Sequence, residues 1–401
     1  MSRIHYFNPG HETAILQGTR NYTPPSNVRK MQKDLAILPV WYAEPEDLVY
    51  IPEIIPPGFL YSQPKELQPL PALITEASLA NYSANSSLLR ASPWGISPQS
   101  LHLFNKLKES TGIPISIPEW KEEYTRLTGR QTAADCLRKI RAYLPDLAIP
   151  APPCFCTSTQ EVEEQMLLWD APFVLKTPFS SSGRGLLWIW EKTLDAKDKN
   201  WINGAIHKQG TVSIESGLEK IQDFAMEFHS DGQGHVGYEG LSVFNTEERG
   251  AYSGNVMECQ AIMRTRITQF TGEEAFRRIQ ETVACVLSEI YGSIYTGYLG
   301  VDMLVYKQKD GSFAIHPCVE INMRYTMGMV ALRLFQKYIA PEACGNFRIS
   351  FDKEEGGAYE KDCQMRDSYP LQFTEGKIGA GYLSLCPVGK ETHYRAYLLI
   401  L

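Results

Sequence analysis

The residues best placed to do chemistry fall in two short runs, Gly300–Val305 with Asp302, and Val319–Arg324 with Glu320, Asn322 and Arg324. Both runs are rich in β-branched and apolar residues and read as strands. Between them Lys309, Asp310, Gly311 and Ser312 carry the Asp-Gly pair of a hairpin turn. Strand side chains alternate faces, so Glu320, Asn322 and Arg324 are expected on one face, with Asp302 brought beside them by the hairpin. Two carboxylates and an amide are hard-oxygen ligands suited to Mg²⁺, and a guanidinium grips an anion. Such a group is costly to bury without a metal or ligand.

A second stretch is Phe173–Gly185, where an apolar strand ends on Lys176 and runs into Ser180, Ser181, Ser182, Gly183, Arg184 and Gly185. Small residues leave backbone N–H groups free to fold over polyphosphate oxygens, and Lys176 would add a point charge. The competing reading is a flexible hairpin with an edge lysine. The Asp302, Glu320 and Asn322 group downstream favours phosphate binding. The loop lacks the Gly-x-x-x-x-Gly-Lys-Ser/Thr pattern, and a strand rather than a helix follows it. Gly232–Gly237 fits Gly-x-Gly-x-x-Gly but lies between two strand-like runs, so it reads as a hairpin turn.

The elements that must position these residues are legible in part. Ile4–Phe7 opens the chain as a strand, and Ser97-Pro98 caps a helix over Gln99–Lys108. Helical spacing marks Thr132–Tyr143, Ser158–Trp169, Glu273–Tyr291 and the region around Met329–Tyr338. Strands are expected at Pro172–Lys176, Leu186–Trp190, Phe224–Phe228, Val236–Phe244, Gly381–Leu385 and Tyr394–Ile400. The strand order of the first 125 residues is not readable.

The chain has 401 residues, 43% of them hydrophobic, enough for two or three domains. A net charge of −7 and the lack of a dense basic run give no nucleic-acid footprint. No apolar run approaches the ~20 residues that span a bilayer. The polar N-terminus and nine cysteines read as a cytoplasmic protein with reduced thiols. Cys154-x-Cys156 has no second pair and reads as ordinary packing.

Taken in order, the lysine-ending strand, small-residue loop, hinge, Asp strand and Glu-x-Asn strand resemble the ATP-grasp superfamily over roughly residues 126–340. The resemblance implies an α+β ATP-grasp fold, two α+β subdomains gripping ATP, preceded by a small α/β pre-ATP-grasp-like domain. It divides the chain at 1–125, 126–210 (small lid subdomain), 211–345 (large subdomain with the metal site) and 346–401 (a C-terminal extension of strands). It implies that Lys176 contacts the ATP phosphates and that Ser181, Ser182, Gly183 and Arg184 close over them. Glu215, Gly217 and Leu218 resemble the adenine hinge, and Asp223 or Glu227 meets the ribose. Asp302, Glu320 and Asn322 resemble the Mg²⁺ ligands, and Arg324 an arginine that steadies the transferred phosphate or the substrate anion. Two positions depart from the family: Arg130 stands where a lysine is common, and Met323 where proline is common.

The implied activity is ATP-dependent ligation, in which a carboxylate is activated as an acyl phosphate and attacked by an amine or thiol. The cofactors would be ATP and Mg²⁺, and a homodimer is the default assembly. A kinase of the same fold, or a non-catalytic nucleotide-binding module, are the competing readings. Arg264 and Arg266, read as alternating on one strand face, are candidates for an acidic substrate or simply a solvated basic face. His11, after the first strand, is a candidate ligand position or a turn held by local hydrogen bonds. His316, before Pro317, reads as structural.

Overall fold

The computed structural model describes residues 1–53, 58–82, 88–180, 185–246 and 252–401. These form two compact units, Met1–Lys121 with Ser253–Cys259 and Met327–Leu401, and Glu122–Tyr252 with Gln260–Thr326.

In the first unit a parallel sheet runs in the order Ala72–Ile74, Leu48–Tyr50, Arg3–Tyr6, Leu89–Pro93, Ile115–Ser116. Its apolar face, with Ile4, Tyr6, Leu48 and Leu89, packs on Phe104 and Leu107 of the helix Pro98–Thr111. That helix starts as its sequence demands. Ser97 Oγ accepts from the Ser100 amide at 3.2 Å, Pro98 follows, and Gly112 ends it at φ +70°. The same unit contains an antiparallel ladder in the order Tyr252–Met257, Gly345–Phe351, Tyr394–Ile400, Lys377–Ser384, Gln372–Thr374. The two strands expected near the C-terminus are its third and fourth members.

The second unit carries a small antiparallel sheet in the order Cys154–Cys156, Val212–Ser216, Phe173–Lys176, Leu186–Ile189. Val162 and Met166 of the helix Thr159–Leu168, and Ile202 of the helix Ala196–Gln209, close its apolar face. A larger antiparallel group runs Phe313–Asn322, Thr296–Lys307, Glu219–Asp231, Val236–Thr246. The helix Glu273–Tyr291 buries Phe276, Ile279, Val283 and Leu287 as the 3.6-residue period requires. The Gly-x-Gly-x-x-Gly segment is a hairpin turn, with Gly232 and Gly234 at φ +76° and +108°. Asp231 Oδ1 accepts from the amides of Gln233 and His235 there.

One local expectation is corrected. Arg264 and Arg266 lie on a helix, Gln260–Thr271, and not on a strand. Its buried residues, Met263 and Ile267, are four apart, so the helical period decides the conformation and the alternating arginines do not. Two residues apart on a helix, the arginines point to different sides. The described residues contain no helix long and apolar enough to cross a membrane.

Candidate active site

The hairpin from Thr296 to Asn322 sets the register on which the site depends. Gly311 sits at φ +87° in its tip, and Asp310 Oδ1 accepts from the Ser312 amide at 2.9 Å. From the tip, Leu304 pairs with His316; then the register shifts, and Asp302 pairs with Glu320 and Gly300 with Asn322. Pro317 lies within the shift. A proline donates no ladder hydrogen bond, so a bulge is where a strand tolerates it. On the other side Ala225 pairs with Asp302 and Glu227 with Gly300. Glu227, Asp302, Glu320 and Asn322 therefore share one sheet face across three strands.

Arg324 joins them by a route that alternation does not predict. The strand ends at Asn322, and the Arg324 amide donates to the Asn322 carbonyl at 2.9 Å in a tight turn. The guanidinium then folds back, Nη2 donating to Asn322 Oδ1 at 3.0 Å and Nη1 to the Tyr325 carbonyl at 3.0 Å. It belongs to the cluster, but as a turn residue.

The cluster is electrostatically loaded. Burial, then Glu320, then Glu227 push the Asp302 carboxyl up to about 8, against the pull of Arg324 and a hydrogen bond from Asn322. Glu227 is 1% exposed, and burial raises it to about 7. Thr326 Oγ1 donates to its Oε2 at 2.8 Å and Ser242 Oγ to its Oε1 at 3.2 Å. Gly300 makes room for this arrangement: a Cβ there would lie 2.5 Å from Thr326 Cγ2 and 3.1 Å from Glu227 Oε2.

A second charged group stands on the small sheet. Lys176 pairs with Ser213 and Val174 with Glu215 in the ladder, so Lys176 and Glu215 are diagonal neighbours on one face, and they form an ion pair. Burial raises Glu215, but Lys176, His316 and Arg130 outweigh it and hold the carboxyl below its usual range. His316 is buried; that burial, opposed by Glu215 and reinforced by Lys176, pushes it down to about 4. Its Nδ1 accepts from the Cys318 amide at 3.3 Å, which leaves Nε2 to carry the proton of the neutral ring.

Arg130, the first residue of the helix Arg130–Tyr143, links the two groups. Nη2 lies 3.0 Å from Glu320 Oε2 and 3.2 Å from Ser180 Oγ, and Nε donates to the Thr177 carbonyl at 3.1 Å. Its buried Nη1 has no hydrogen-bond partner among the described residues. A buried, unsatisfied guanidinium nitrogen beside a phosphate-type loop fits an anionic ligand. The loop base is closed by the Thr177 amide donating to the Gly185 carbonyl at 3.0 Å.

No protein-family model and no curated protein matches the chain. Solved structures do. Biotin carboxylase from Campylobacter jejuni, as a β-γ-ATP complex, superposes over 100% of this chain and 88% of its own, at TM-score 0.54 and 12% identity. The biotin carboxylase domain of the 2-oxoglutarate carboxylase of Hydrogenobacter thermophilus, with MgADP, ADP and bicarbonate, covers 100% and 86% at TM-score 0.52 and 11% identity. The chain has the ATP-grasp fold.

Within that fold, Arg130, Lys176, Glu215, Asp302, Glu320, Asn322 and Arg324 all belong to the second unit, where the contacts above link them. Ser181, Ser182, Gly183 and Arg184 lie outside the described residues. Gly217 and Leu218 join two strands, and the Gly217 amide donates to the Pro172 carbonyl at 2.7 Å. Asp223 accepts from Lys220 at 2.5 Å and Thr246 at 2.8 Å; Glu227, four residues on and on the same face, is buried. Arg264 donates to Glu273 at 2.7 Å and stacks over Phe276, 4.8 Å from its centroid, while Arg266 has no place in the cluster described here. His11 belongs to the first unit, where it is the first residue of the short helix His11–Gln17 and not part of a loop; it is fully buried. Sequence reasoning left out Ser242 and Thr326 and set His316 aside. Ser242 and Thr326 carry no signal of their own, because only the register places them on Glu227.

Among the described residues, no set of three or more His, Cys, Asp or Glu is arranged to hold a metal ion. The hard-oxygen set on the sheet face is two carboxylates and an amide, Asp302, Glu320 and Asn322. That suits Mg²⁺, which takes one or two carboxylates and completes its shell with water and phosphate oxygens. Burial first, and then repulsion from Glu320 and Glu227, raise Asp302, and a cation at this face would relieve the repulsion.

Proposed function

We propose that the protein is an Mg²⁺- and ATP-dependent ligase that activates a substrate carboxylate for attack by an amine, or less often a thiol. The observation that carries this reading is the pairing of Asp302 opposite Glu320, with Asn322 and Arg324 beside them and Arg130 joining Glu320 to the segment after Lys176. In the reaction a carboxylate oxygen bonds to the γ-phosphorus of ATP and ADP leaves. The nucleophile then bonds to the acyl carbon, loses its proton, and phosphate departs.

Phosphoryl transfer asks the protein for position and charge rather than for a covalent partner. Lys176 and Arg130 meet the charge on the phosphates, with Glu215 holding the Lys176 ammonium in place. Arg324, anchored through Asn322, presents its guanidinium to the transferred group or the acid that receives it. The Ser180–Gly185 loop shields the acyl phosphate from water. Mg²⁺ bound by Asp302, Glu320 and Asn322 would supply the remaining positive charge at the phosphates. All nine cysteines are free thiols, consistent with a cytoplasmic setting.

The test is direct. Mg²⁺-dependent ATP binding should weaken about tenfold or more in Glu320→Gln, which removes one ligand charge. A panel of carboxylates with amine acceptors should release both ADP and phosphate. A stable phosphorylated product would indicate a kinase instead, and binding without turnover across the panel a nucleotide-binding module. Unchanged binding and turnover in Glu320→Gln would remove the metal assignment.

A further inference from the structure

The first unit holds a cavity of about 230 Å³ that shares no residue with the site above. Its walls include Phe59, Gln63, Tyr369, Leu371 and Leu383, and Arg366 lines it from the last turn of the helix Gly357–Ser368.

Both walls are pinned. The Phe59 carbonyl accepts from Ser62 Oγ at 2.9 Å and Gln63 Nε2 at 3.1 Å, and the Leu60 carbonyl accepts from Gln68 Nε2 at 2.9 Å. On the other side the Tyr382 amide donates to the Tyr369 carbonyl at 2.8 Å. The backbone there approaches so closely that a Cβ on Gly381 would lie 2.5 Å from the Pro370 carbonyl oxygen. Loops held this way form a standing pocket rather than a transient gap.

Among the described residues, Arg366 is the one charged side chain of the lining, which also carries Ser62, Gln63, Tyr382 and Ser384. Asp362, 2% exposed, accepts from Tyr382 Oη at 2.6 Å, and its Oδ2 lies 2.8 Å from Arg366 Nε in an ion pair. The ion pair holds the guanidinium beside Asp362 on its Nε side. Its Nη1 and Nη2 groups have no partner among the described residues, and the side chain is 53% exposed. A guanidinium ion-paired on its Nε side leaves its two-nitrogen edge for a carboxylate, whose two oxygens match that edge. The adjoining walls are a phenylalanine, a tyrosine and two leucines, which suit a flat apolar body.

We propose that this cavity binds a small monocarboxylate with a flat apolar body, its carboxylate forked on Arg366 and its body between Phe59, Tyr369 and Leu371. The proposal stands independently of the ATP reading.

The experiment uses the full chain and two probes, phenylacetate and its neutral isostere phenylacetamide, with affinity read by ligand-observed NMR titration. Phenylacetate should bind at least about tenfold more tightly than the amide, the difference a charge-assisted fork provides. Arg366→Gln should erase that preference. Because Arg366→Gln also strips a partner from buried Asp362, Leu371→Trp serves as a second variant: it keeps the Asp362 network, fills the cavity, and should abolish binding of both probes. Far-UV circular dichroism establishes that each variant is folded. Equal affinity for acid and amide, no binding of phenylacetate, or undiminished binding in a folded Arg366→Gln or Leu371→Trp would overturn the proposal.

Discussion

Replacing Glu227 with glutamine isolates a single buried carboxyl and makes its burial measurable. Burial raises this group from 4.5 to about 7 in the folded chain. Between those values the folded state binds more protons than the unfolded state, so the stability the group contributes is present at low pH and is lost as pH rises toward 7. The whole window corresponds to roughly 3 kcal/mol, at ~1.4 kcal/mol per pH unit, and about 2–3 kcal/mol of it falls between pH 5 and pH 8. Glutamine keeps the shape and hydrogen-bonding capacity of the protonated acid but cannot ionise. Urea unfolding of both proteins, in chelator, at pH 5 and pH 8 gives the difference between them at each pH. Titrating groups remote from Glu227 cancel, and Asp302, which Glu227 pushes up, adds a change of the same sign. Glu227→Gln should gain about 2–3 kcal/mol relative to the parent on going from pH 5 to pH 8. A difference that stays constant, or that moves the other way, would refute the picture of an uncompensated buried carboxyl held by Thr326 and Ser242.

Three further outcomes follow from the same geometry. Gly300→Ala should cost about 1–3 kcal/mol in thermal or urea unfolding, because the new methyl group meets Thr326 and the Glu227 carboxylate. Affinity for Mg²⁺ with nucleotide should rise with pH and level off above about 8, since Asp302 must lose its proton to act as a ligand; a flat profile in calorimetry would contradict this. Lys176→Met should destabilise the chain by about 3 kcal/mol by stranding Glu215, and adding Glu215→Leu should recover most of the loss in a double-mutant cycle.

The parts that were legible in the sequence share a physical reason: a strong local pattern agreed with the tertiary outcome. Asp310-Gly311 between two β-branched runs specifies a hairpin, and the apolar stripe of Glu273–Tyr291 specifies a helix packed on one side. Asp302, Glu320 and Asn322 were found because one hairpin carries all three. Where local pattern and burial disagree, burial decides. Arg264 and Arg266 fit a two-residue alternation, yet Met263 and Ile267 are the buried pair and the segment is helical. The helices Ala196–Gln209 and Gly357–Ser368 each bury only two residues, so they leave little periodicity to read. The role of Glu227 depends on which residue of a strand more than seventy positions later lies opposite it. That is a matter of register, and no local signal encodes it.

The bulge at Pro317 has a further bearing on how this hairpin tolerates change. Between the pairs Leu304–His316 and Asp302–Glu320, one strand advances by two residues while the other advances by four. The surplus is even, so every side chain beyond it keeps its face. A surplus of one would turn Glu320 and Asn322 to the opposite side of the sheet and dismantle the cluster in a single step. The segment 317–319 thus acts as a phase lock. Residues added at the tip around Asp310 would be absorbed before they reach Asp302, whereas loss of one residue beside Pro317 would not. The hairpin is open to remodelling at its end and intolerant of single-residue change only a few positions away.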